Sequence, residues 1–352
     1  MTKVAIVILN WNGIGFLESF LPVLTARTAS DDAKIIVADN HSTDASLAFL
    51  EKNFPLVEVI KLHENHGFAG GYNRALEKVK AEYYLLLNSD IEVSENWLQP
   101  LISFMDSRQE VAACSPMLLD YNNRMKYEYA GAAGGYIDKF GYAFCRGRLF
   151  NTLEKVDQGL KTPVEVFWTS GACMMIRSEI YHEFKGFDSH FFAHMEEIDL
   201  CWRLKNSGWK LAMVPESKVY HVGGGTLPKS NPFKTYLNFR NNLLMLYKNI
   251  SPHNLVRVLF IRRIMDGLSL GMFLLSFKFK DIKAILQAHR DYRRDKKLYE
   301  SFRKAELEKH GYPEHMDMYQ KSVVVDYFLA GRRQFNKLRD RFAFKMDQRI
   351  IQ

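Results

Sequence analysis

The stretch Tyr83-Tyr84-Leu85-Leu86-Leu87-Asn88-Ser89-Asp90 constrains this chain more than any other. Five apolar or aromatic residues run without a break and then stop at a polar triplet ending in a carboxylate. A run this short, with no helical period in it, predicts a strand buried on both faces, and such strands belong to parallel sheets covered by helices. In an open α/β sheet, ligands bind just beyond the carboxyl ends of the strands. Asp90 stands at such an end, where a carboxylate can hold a hard divalent cation against a diphosphate. The same triplet also suits a plain polar turn capping a helix that begins near Glu95, because Asn, Ser and Asp are the usual turn formers.

The preceding chain repeats this layout. Val4–Leu9 is an aliphatic run that predicts a first strand, followed by the turn Asn10-Trp11-Asn12-Gly13 and a helix with Phe16, Leu17, Phe20, Leu21 and Leu24 on one side. Lys34–Ala38 predicts a second strand, ending in Asp39-Asn40-His41-Ser42-Thr43-Asp44, where Ser42 or Thr43 can cap the next helix. Leu56–Leu62 predicts a third, leading through Gly67, Gly70 and Gly71 into a helix over Tyr72–Lys80. Strands alternating with helices predict an α/β, mostly parallel, doubly wound sheet flanked by helices. The three glycines fit neither a Walker loop nor the GxGxxG pattern. At a helix start they suit a diphosphate, and they equally suit close helix–strand packing.

Residues 115–163 read as loops and short strands, a place to shape an acceptor pocket. Val164–Trp168 and Cys173–Ile176 read as strands around Thr169-Ser170-Gly171-Ala172. Then come Glu196, Glu197 and Asp199, three carboxylates within four residues, ahead of the apolar face Leu200, Cys201 and Leu204. Acids at a helix N-terminus stabilise it by roughly 0.3–1 kcal/mol each, which accounts for one or two of them and not for three. Asp199 and Arg203, four apart on one helix face, read as a structural ion pair. Trp202 reads as core, Trp168 as core or sugar contact, and His66 and His194 as surface or supporting histidines. Leu211–Val214 and Lys218–His221 read as short strands, with His221-Val222-Gly223-Gly224-Gly225 closing the domain.

These segments, taken in order, resemble the family 2 inverting glycosyltransferases of the GT-A fold (Rossmann-like, binding nucleotide-diphospho-sugars), in particular the rhamnosyltransferase-like branch that builds bacterial surface polysaccharides. The resemblance rests on Val7–Gly13, Val37–Asp44, Asn65–Asn73, Leu87–Asp90, Ser170–Ala172, Gly186–Asp188, Glu196–Arg203 and His221, and covers roughly residues 3–225. It implies transfer of a sugar from a nucleotide-sugar donor to a saccharide or polyprenyl-linked acceptor, in surface polysaccharide or O-antigen synthesis. Asn10, Trp11, Asp39, Asn40, Gly67, Gly70, Asn73 and Ser89 would hold the donor nucleotide. Asp90 and His221 would hold Mg²⁺ or Mn²⁺. Glu197 aligns with the second acid of the family's Glu-Asp pair, the catalytic base, with Glu196 beside it; Glu in place of Asp reaches one methylene further. Trp168, Ser170 and Gly171 would face the acceptor. Asn88 stands where the family often has another acid, so a metal site with few carboxylates is expected. A nucleotidyltransferase on a similar sheet and a non-catalytic sugar-nucleotide-binding subunit are the competing readings.

Charge divides the chain. Residues 251–352 hold 22 Lys and Arg against 12 Asp and Glu, a net +10, whereas residues 1–250 hold 26 against 28, a net −2. The glycines after His221 and the change to a helical pattern from Phe233 divide the chain into a catalytic domain over 1–228 and a helical, basic C-terminal region over 229–352. The very apolar Asn254–Phe279, flanked by Lys278, Lys280, Lys283, Arg290, Arg293 and Arg294, predicts a segment lying in a membrane interface; a helical lid or a dimer interface uses the same pattern. Contact with the inner membrane surface through 254–297, a cytoplasmic and peripheral location, and homo-oligomer formation are therefore expectations. The apolar Val4–Leu9 stops too soon for a signal sequence. Cys114, Cys145, Cys173 and Cys201 lack CxxC spacing and read as reduced thiols. Tyr292, Tyr299, Phe302 and Tyr312 lie among the basic residues without any nucleic-acid motif, so no nucleic acid is expected as partner.

Overall fold

The computed structural model describes residues 2–28, 32–223 and 231–342. The first half runs β1 (Thr2–Asn10), α1 (Ile14–Arg27), β2 (Ala33–Asp39), α2 (Ser46–Asn53), β3 (Glu58–Lys61), α3 (Gly67–Leu76), β4 (Ala81–Asn88), β5 (Ile91–Val93), α4 (Gln99–Ser107) and β6 (Val111–Asp120). Short strands β7 (Gly135–Ile137), β8 (Ala143–Cys145), β9 (Arg148–Leu149), β10 (Thr152–Leu153) and β11 (Val164–Glu165) follow. Then come β12 (Cys173–Arg177), α5 (Ser178–Glu183), α6 (Glu196–Asn206) and β13 (Lys210–His221). The helices α7 (Pro232–Asn249), α8 (Pro252–Leu275), α9 (Phe279–Asp295), α10 (Glu300–His310) and α11 (Val323–Phe328) complete the chain.

Nine strands form one sheet in the order β11-β13-β6-β12-β4-β1-β2-β3, with β5 added on β13. Strands β3, β2, β1 and β4 are parallel, as are β6 and β13, while β12 runs antiparallel between β4 and β6. The period-2 alternation of a strand sends successive side chains to opposite faces. In β4, Tyr84 and Leu86 enter one hydrophobic cluster with α3 and α6, and Tyr83, Leu85 and Leu87 enter the other with α1 and α4. The sheet is thus covered on both faces, as the unbroken apolar run of β4 requires. Register fixes where the chain turns over: Leu9 pairs with Asn88 and Asn10 with Asp39, so β2, β1 and β4 end level. A second sheet of four short strands, β10-β9-β8-β7, occupies most of the region that sequence periodicity left unread.

Several boundaries differ from expectation. Helix α3 begins at Gly67 instead of Tyr72, because Phe192 O accepts from Phe68 N and Ala69 N and so closes its first turn. Neither Ser42 nor Thr43 caps α2; Asp44 Oδ1 accepts from Ser46 N at 3.0 Å. Beyond Asp90 the chain enters β5, and the next helix starts at Gln99. The two short strands expected over 211–221 are one strand, β13, with a register shift between Val214 and Lys218.

The helical C-terminal region packs into the same core as the sheet. The cluster holding α3 and α6 continues through Leu243, Leu244, Tyr292, Tyr319 and Phe335. At its centre, buried Asp199 accepts from Arg203 Nε (2.9 Å), Lys248 Nζ (2.7 Å) and Asn249 Nδ2 (2.8 Å), which ties α6 to α7. The Asp199–Arg203 pair is therefore structural, and Trp202 is core. The expected domain boundary at 228/229, with Gly224 and Gly225, lies outside the described residues.

Candidate active site

The level ends of β2, β1 and β4 deliver Asp39, Asn10, Ser89 and Asp90 to one edge of the sheet. Strand β13 ends at His221, beside them. His221 Nε2 lies 3.0 Å from Asp90 Oδ1, and its Nδ1 lies 3.3 Å from Glu128 Oε1. All three residues are buried. Burial disfavours the imidazolium, but the bonds to Asp90 and Glu128 outweigh it and hold the His221 pKa up at about 10. Burial likewise works against the Asp90 carboxylate, and the His221 hydrogen bond and charge bring its pKa below the ordinary value.

The pair offers a carboxylate oxygen and an imidazole nitrogen, donor types that a divalent cation accepts. At 3.0 Å the two are hydrogen-bonded to each other, so a cation here would take the place of the shared proton. Among the described residues, no group of three or more His, Cys, Asp and Glu is placed to hold a metal ion. Glu128 faces the other imidazole nitrogen, the position from which a carboxylate orients a metal-binding histidine. It is itself held by Ala130 N, 2.5 Å from Oε2. Sequence reasoning missed Glu128, since no spacing within 115–163 singles it out.

The carboxylates of α6 reach the same edge through β12. Asn88 N donates to Ala172 O at 2.9 Å, which joins the end of β4 to the turn before β12. In that turn, a Cβ on Gly171 would lie 3.4 Å from Glu197 Cβ and 3.6 Å from Phe68 Cε1. Ser170 Oγ donates to Ala130 O at 2.9 Å and so links the turn to the Glu128 segment. Asp90, His221 and Glu128 are thus in contact, and Ala130, bonded to both Glu128 and Ser170, joins them to the Gly171 turn beside Glu197. Glu197 Oε2 and Glu196 Oε2 are buried and have no hydrogen-bond partner. Burial raises the Glu197 pKa to about 6, with backbone N–H groups of 197 and 198 holding it from going higher. Burial and the neighbouring Glu197 charge push Glu196 well above the carboxylate range. A carboxyl group poised near neutrality with an unused oxygen is suited to take up a proton.

The loop that enters α6 is strained. Phe192, His194 and Met195 all have left-handed φ angles, 65°, 69° and 73°. Non-glycine residues rarely adopt this conformation, and three within four residues set the direction in which α6 starts. His194, read from sequence as a surface or supporting residue, has a buried Nε2 without a hydrogen-bond partner, and burial together with the Lys234 charge lowers its pKa to about 4.

Residues 5–184 match the family described as Glycosyl transferase family 2. The chain belongs to glycosyl transferase family 2. Curated relatives include an N-acetylglucosaminyl-diphospho-decaprenol L-rhamnosyltransferase of Mycobacterium tuberculosis, 24% identical over 58% of this chain and 71% of that protein. Rhamnosyltransferase WbbL of Escherichia coli is 25% identical over 58% of this chain and 79% of its own length. The dTDP-rhamnosyl transferase RfbF of Shigella flexneri is 25% identical over 66% and 77%. Among solved structures, GalNAc-T7 with UDP, GalNAc and Mn²⁺ superposes with a TM-score of 0.56 at 18% identity, over 72% of this chain and 48% of that one. A Staphylococcus aureus TarS fragment with UDP-GlcNAc gives 0.55 at 15% identity, over 83% and 80%. The rhamnosyltransferase-like GT-A expectation for fold and family is met, and this family 2 member is a glycosyltransferase.

Placed on this glycosyltransferase, the expected nucleotide residues divide. Trp11 is 43% exposed, Ser89 is half-buried, and Asn10 keeps a buried Oδ1 without a partner. The others also make contacts within the fold. Asp39 accepts from Asn10 Nδ2 and Ser42 N, and holds the loop after β2. Asn40 bonds Asn65, His66 N and Gly67 O. Asn73 bonds Phe187 N and O, Ser189 Oγ and Tyr181 OH, which uses its whole amide to clamp α3 to the turn after α5. The glycines serve packing: a Cβ on Gly67 would meet the Phe192 ring at 2.5 Å, and one on Gly70 would meet His66 Cβ at 3.0 Å. The first amides of α3 are already spent on Asn65 and Phe192, so they form no open anion site. Trp168 is a further correction. It is buried, with its ring against Gly135 and its Nε1 donating to Tyr136 O at 2.9 Å, and so it is core in place of an acceptor platform.

Proposed function

We propose that the protein transfers a sugar from a nucleoside-diphosphate donor to a hydroxyl of a saccharide carried on a polyprenyl diphosphate, with inversion, in the synthesis of a cell-surface polysaccharide. The observation that carries this reading is the Glu197 carboxyl, raised to about 6 and unpartnered at Oε2, on a residue packed at the Gly171 turn that Ser170 ties to the Glu128 segment beside His221. Glu197 takes the proton of the acceptor hydroxyl as its oxygen attacks the anomeric carbon. The bond from that carbon to the diphosphate oxygen breaks, and its electron pair leaves with the nucleoside diphosphate. With no enzyme nucleophile in between, a single displacement inverts the centre. Glu196, more strongly protonated, keeps a second charge away from Glu197. Asp90 and His221 would hold Mg²⁺ or Mn²⁺, with the donor and water filling its remaining positions. Such a cation neutralises charge developing on the leaving diphosphate. Trp11 and Ser89 flank the nucleotide side, and Ser170 and Gly171 the acceptor side. The remaining rate gain comes from holding the two substrates together. The rhamnosyl names of the relatives make a rhamnosyl donor the first to test.

Helix α8 supports work at a membrane surface. No helix among the described residues is long and apolar enough to cross a membrane. Helix α8 is nevertheless inside out. Its inner face buries Arg262 and Asp266, with Arg262 stacked 3.9 Å from the Tyr142 ring. Its outer face exposes Val256, Phe260, Ile264, Leu268 and Met272 at intervals of four, continued by Leu275, Phe277 and Phe279. Exposed Arg263, Lys278, Lys280 and Lys283 border this ridge. An apolar ridge edged by cations suits the boundary between acyl chains and anionic headgroups on the cytoplasmic leaflet.

A thermal-shift screen of dTDP-, UDP- and GDP-sugars with and without Mn²⁺ tests the donor assignment, since a bound ligand raises the melting temperature by mass action. Transfer is then followed as nucleoside diphosphate released in the presence of a polyprenyl-diphosphate-linked saccharide. Release of pyrophosphate, or binding without any turnover, would overturn the proposal.

A further inference from the structure

Helix α7 lies outside the stretch matched by the family, yet it grips the strained loop that aims α6. Asn241, fully buried, points Nδ2 at three carbonyls of that loop: Phe191 O (2.9 Å), Ala193 O (2.9 Å) and His194 O (2.8 Å). Its Oδ1 is held in turn by Arg240 Nε (2.9 Å) and Nη2 (2.8 Å). Arg240 Nη2 also donates to His190 O at 2.7 Å. The amide orientation of Asn241 is thus set by a cation on one side and read out by three carbonyls on the other. Two of those carbonyls belong to Ala193 and His194, within and beside the left-handed residues Phe192, His194 and Met195. Left-handed φ angles at non-glycine residues are costly and persist only when the surroundings over-determine them. Phe192 O is fixed from the opposite side by Phe68 N and Ala69 N of α3. The loop is therefore held between two helices, and Glu196 and Glu197 follow it directly.

The geometry points to Asn241, oriented by Arg240, as a positioning residue that fixes where the Glu197 carboxylate stands over Gly171. The inference rests on Glu197 being the base. Asn241 acts by holding the backbone two to five residues ahead of Glu196. Asn241→Asp keeps the shape of the side chain but turns a donor into an acceptor facing three carbonyls, and Asn241→Ala removes the contacts outright. A misplacement of about 1 Å at a reacting group costs on the order of 100-fold in rate.

The matched control is the next residue. Asn242 is also buried, and its Nδ2 donates to Gly141 O at 2.7 Å on the other side of α7. Asn242→Ala removes one buried hydrogen bond without touching the loop. The experiment compares the full-length wild type, Asn241→Asp, Asn241→Ala and Asn242→Ala by melting temperature, by kcat and donor KM with the donor that turns over, and by amide hydrogen exchange of the peptide spanning 190–197. The expected result is a fall of about 100-fold in kcat for both Asn241 variants, a donor KM within threefold of wild type, and faster exchange confined to 190–197. Asn242→Ala should lower the melting temperature less and keep its kcat within threefold. Equal losses of kcat in the 241 and 242 variants, or unchanged exchange over 190–197 in Asn241→Ala, overturn the inference. Absence of turnover in the wild type with every donor would count against the transfer reading instead, and the exchange result alone would then decide whether Asn241 holds the loop.

Discussion

Replacing Glu197 by Gln should abolish transfer and at the same time stabilise the fold. The folded-state pKa of Glu197 is about 6, against an ordinary value of 4.5. Each unit is worth about 1.36 kcal/mol, so keeping this carboxylate ionised in its dry site costs about 2 kcal/mol at neutral pH. The sign follows from linkage. A carboxyl whose pKa is raised on folding binds more protons in the native state, so its contribution to stability is fully present below 4.5 and is lost as pH rises through 6. Gln cannot ionise, and therefore escapes the loss. Urea titrations at pH 7.5 should find Glu197→Gln more stable than wild type by up to about 2 kcal/mol, and titrations near pH 4.5 should find the difference gone. In the same preparations, nucleoside diphosphate release should fall by about 10²–10⁴-fold, the usual worth of a general base, while the thermal shift produced by donor and Mn²⁺ remains. The wild-type kcat should fall below pH 6 as the base is protonated. Two results refute the reasoning: a Gln variant less stable than wild type at pH 7.5, or one that keeps more than a tenth of the activity.

Three further outcomes follow from other contacts. Glu128→Gln should weaken Mn²⁺ binding, followed by electron paramagnetic resonance titration, by about 10–100-fold, because His221 loses the charge that orients it, and Asp90→Asn should weaken it further; unchanged Mn²⁺ affinity in both would remove the metal from this edge. Phe260→Ser with Leu268→Ser, both on the exposed ridge of α8, should leave the melting temperature within about 2 °C but lower flotation on phosphatidylglycerol vesicles by more than about 10-fold; equal flotation would refute membrane docking by this face. Asp199→Ala should destabilise the protein by about 3–5 kcal/mol in urea, since Arg203 and Lys248 would stay buried without their shared carboxylate; a loss under 1 kcal/mol would show that the hub is not structural.

How much of this was legible in the sequence depended on whether the signal was local. The β1–β4 sheet was legible because aliphatic runs of strand length end in polar turns, and the level strand ends place Asn10, Asp39 and Asp90 together. Strand β6 was not, because Pro116 sits inside it, and a proline argues against a central strand. It is tolerated where β13 shifts register just beyond Val214, the partner of Pro116. The Glu pair stood out by charge density at a helix start, whereas Glu128 sits in a segment whose short strands carry no period. The donor residues were named as a group, and the structure separates them by what their polar atoms already do. Asn40 and Asn73 spend their amides on backbone, a use no motif can distinguish from ligand binding.

The inside-out character of α8 also bears on how the site is assembled. A helix that buried its apolar stripe and exposed Arg262 and Asp266 would be the ordinary amphipathic solution. Here the ion pair is kept inside, next to Tyr142 and His289, and the apolar ridge faces outward. Burying those charges is costly, and on the proposed reading contact of the outward ridge with a lipid surface offsets that cost. Helix α7 lies between this ridge and the catalytic loop, bonded to α6 through Lys248 and Asn249 and to the loop through Asn241. On the proposed reading, docking by α8 would thus hold the loop ahead of Glu197 at a fixed height above the membrane, where a polyprenyl-linked saccharide would present its hydroxyl. Removing the ridge with Phe260→Ser and Leu268→Ser should therefore leave donor-induced thermal shifts unchanged and lower turnover on vesicle-borne acceptor more than on a short-chain, detergent-soluble one. Equal losses on both acceptors would show that α8 sets no height.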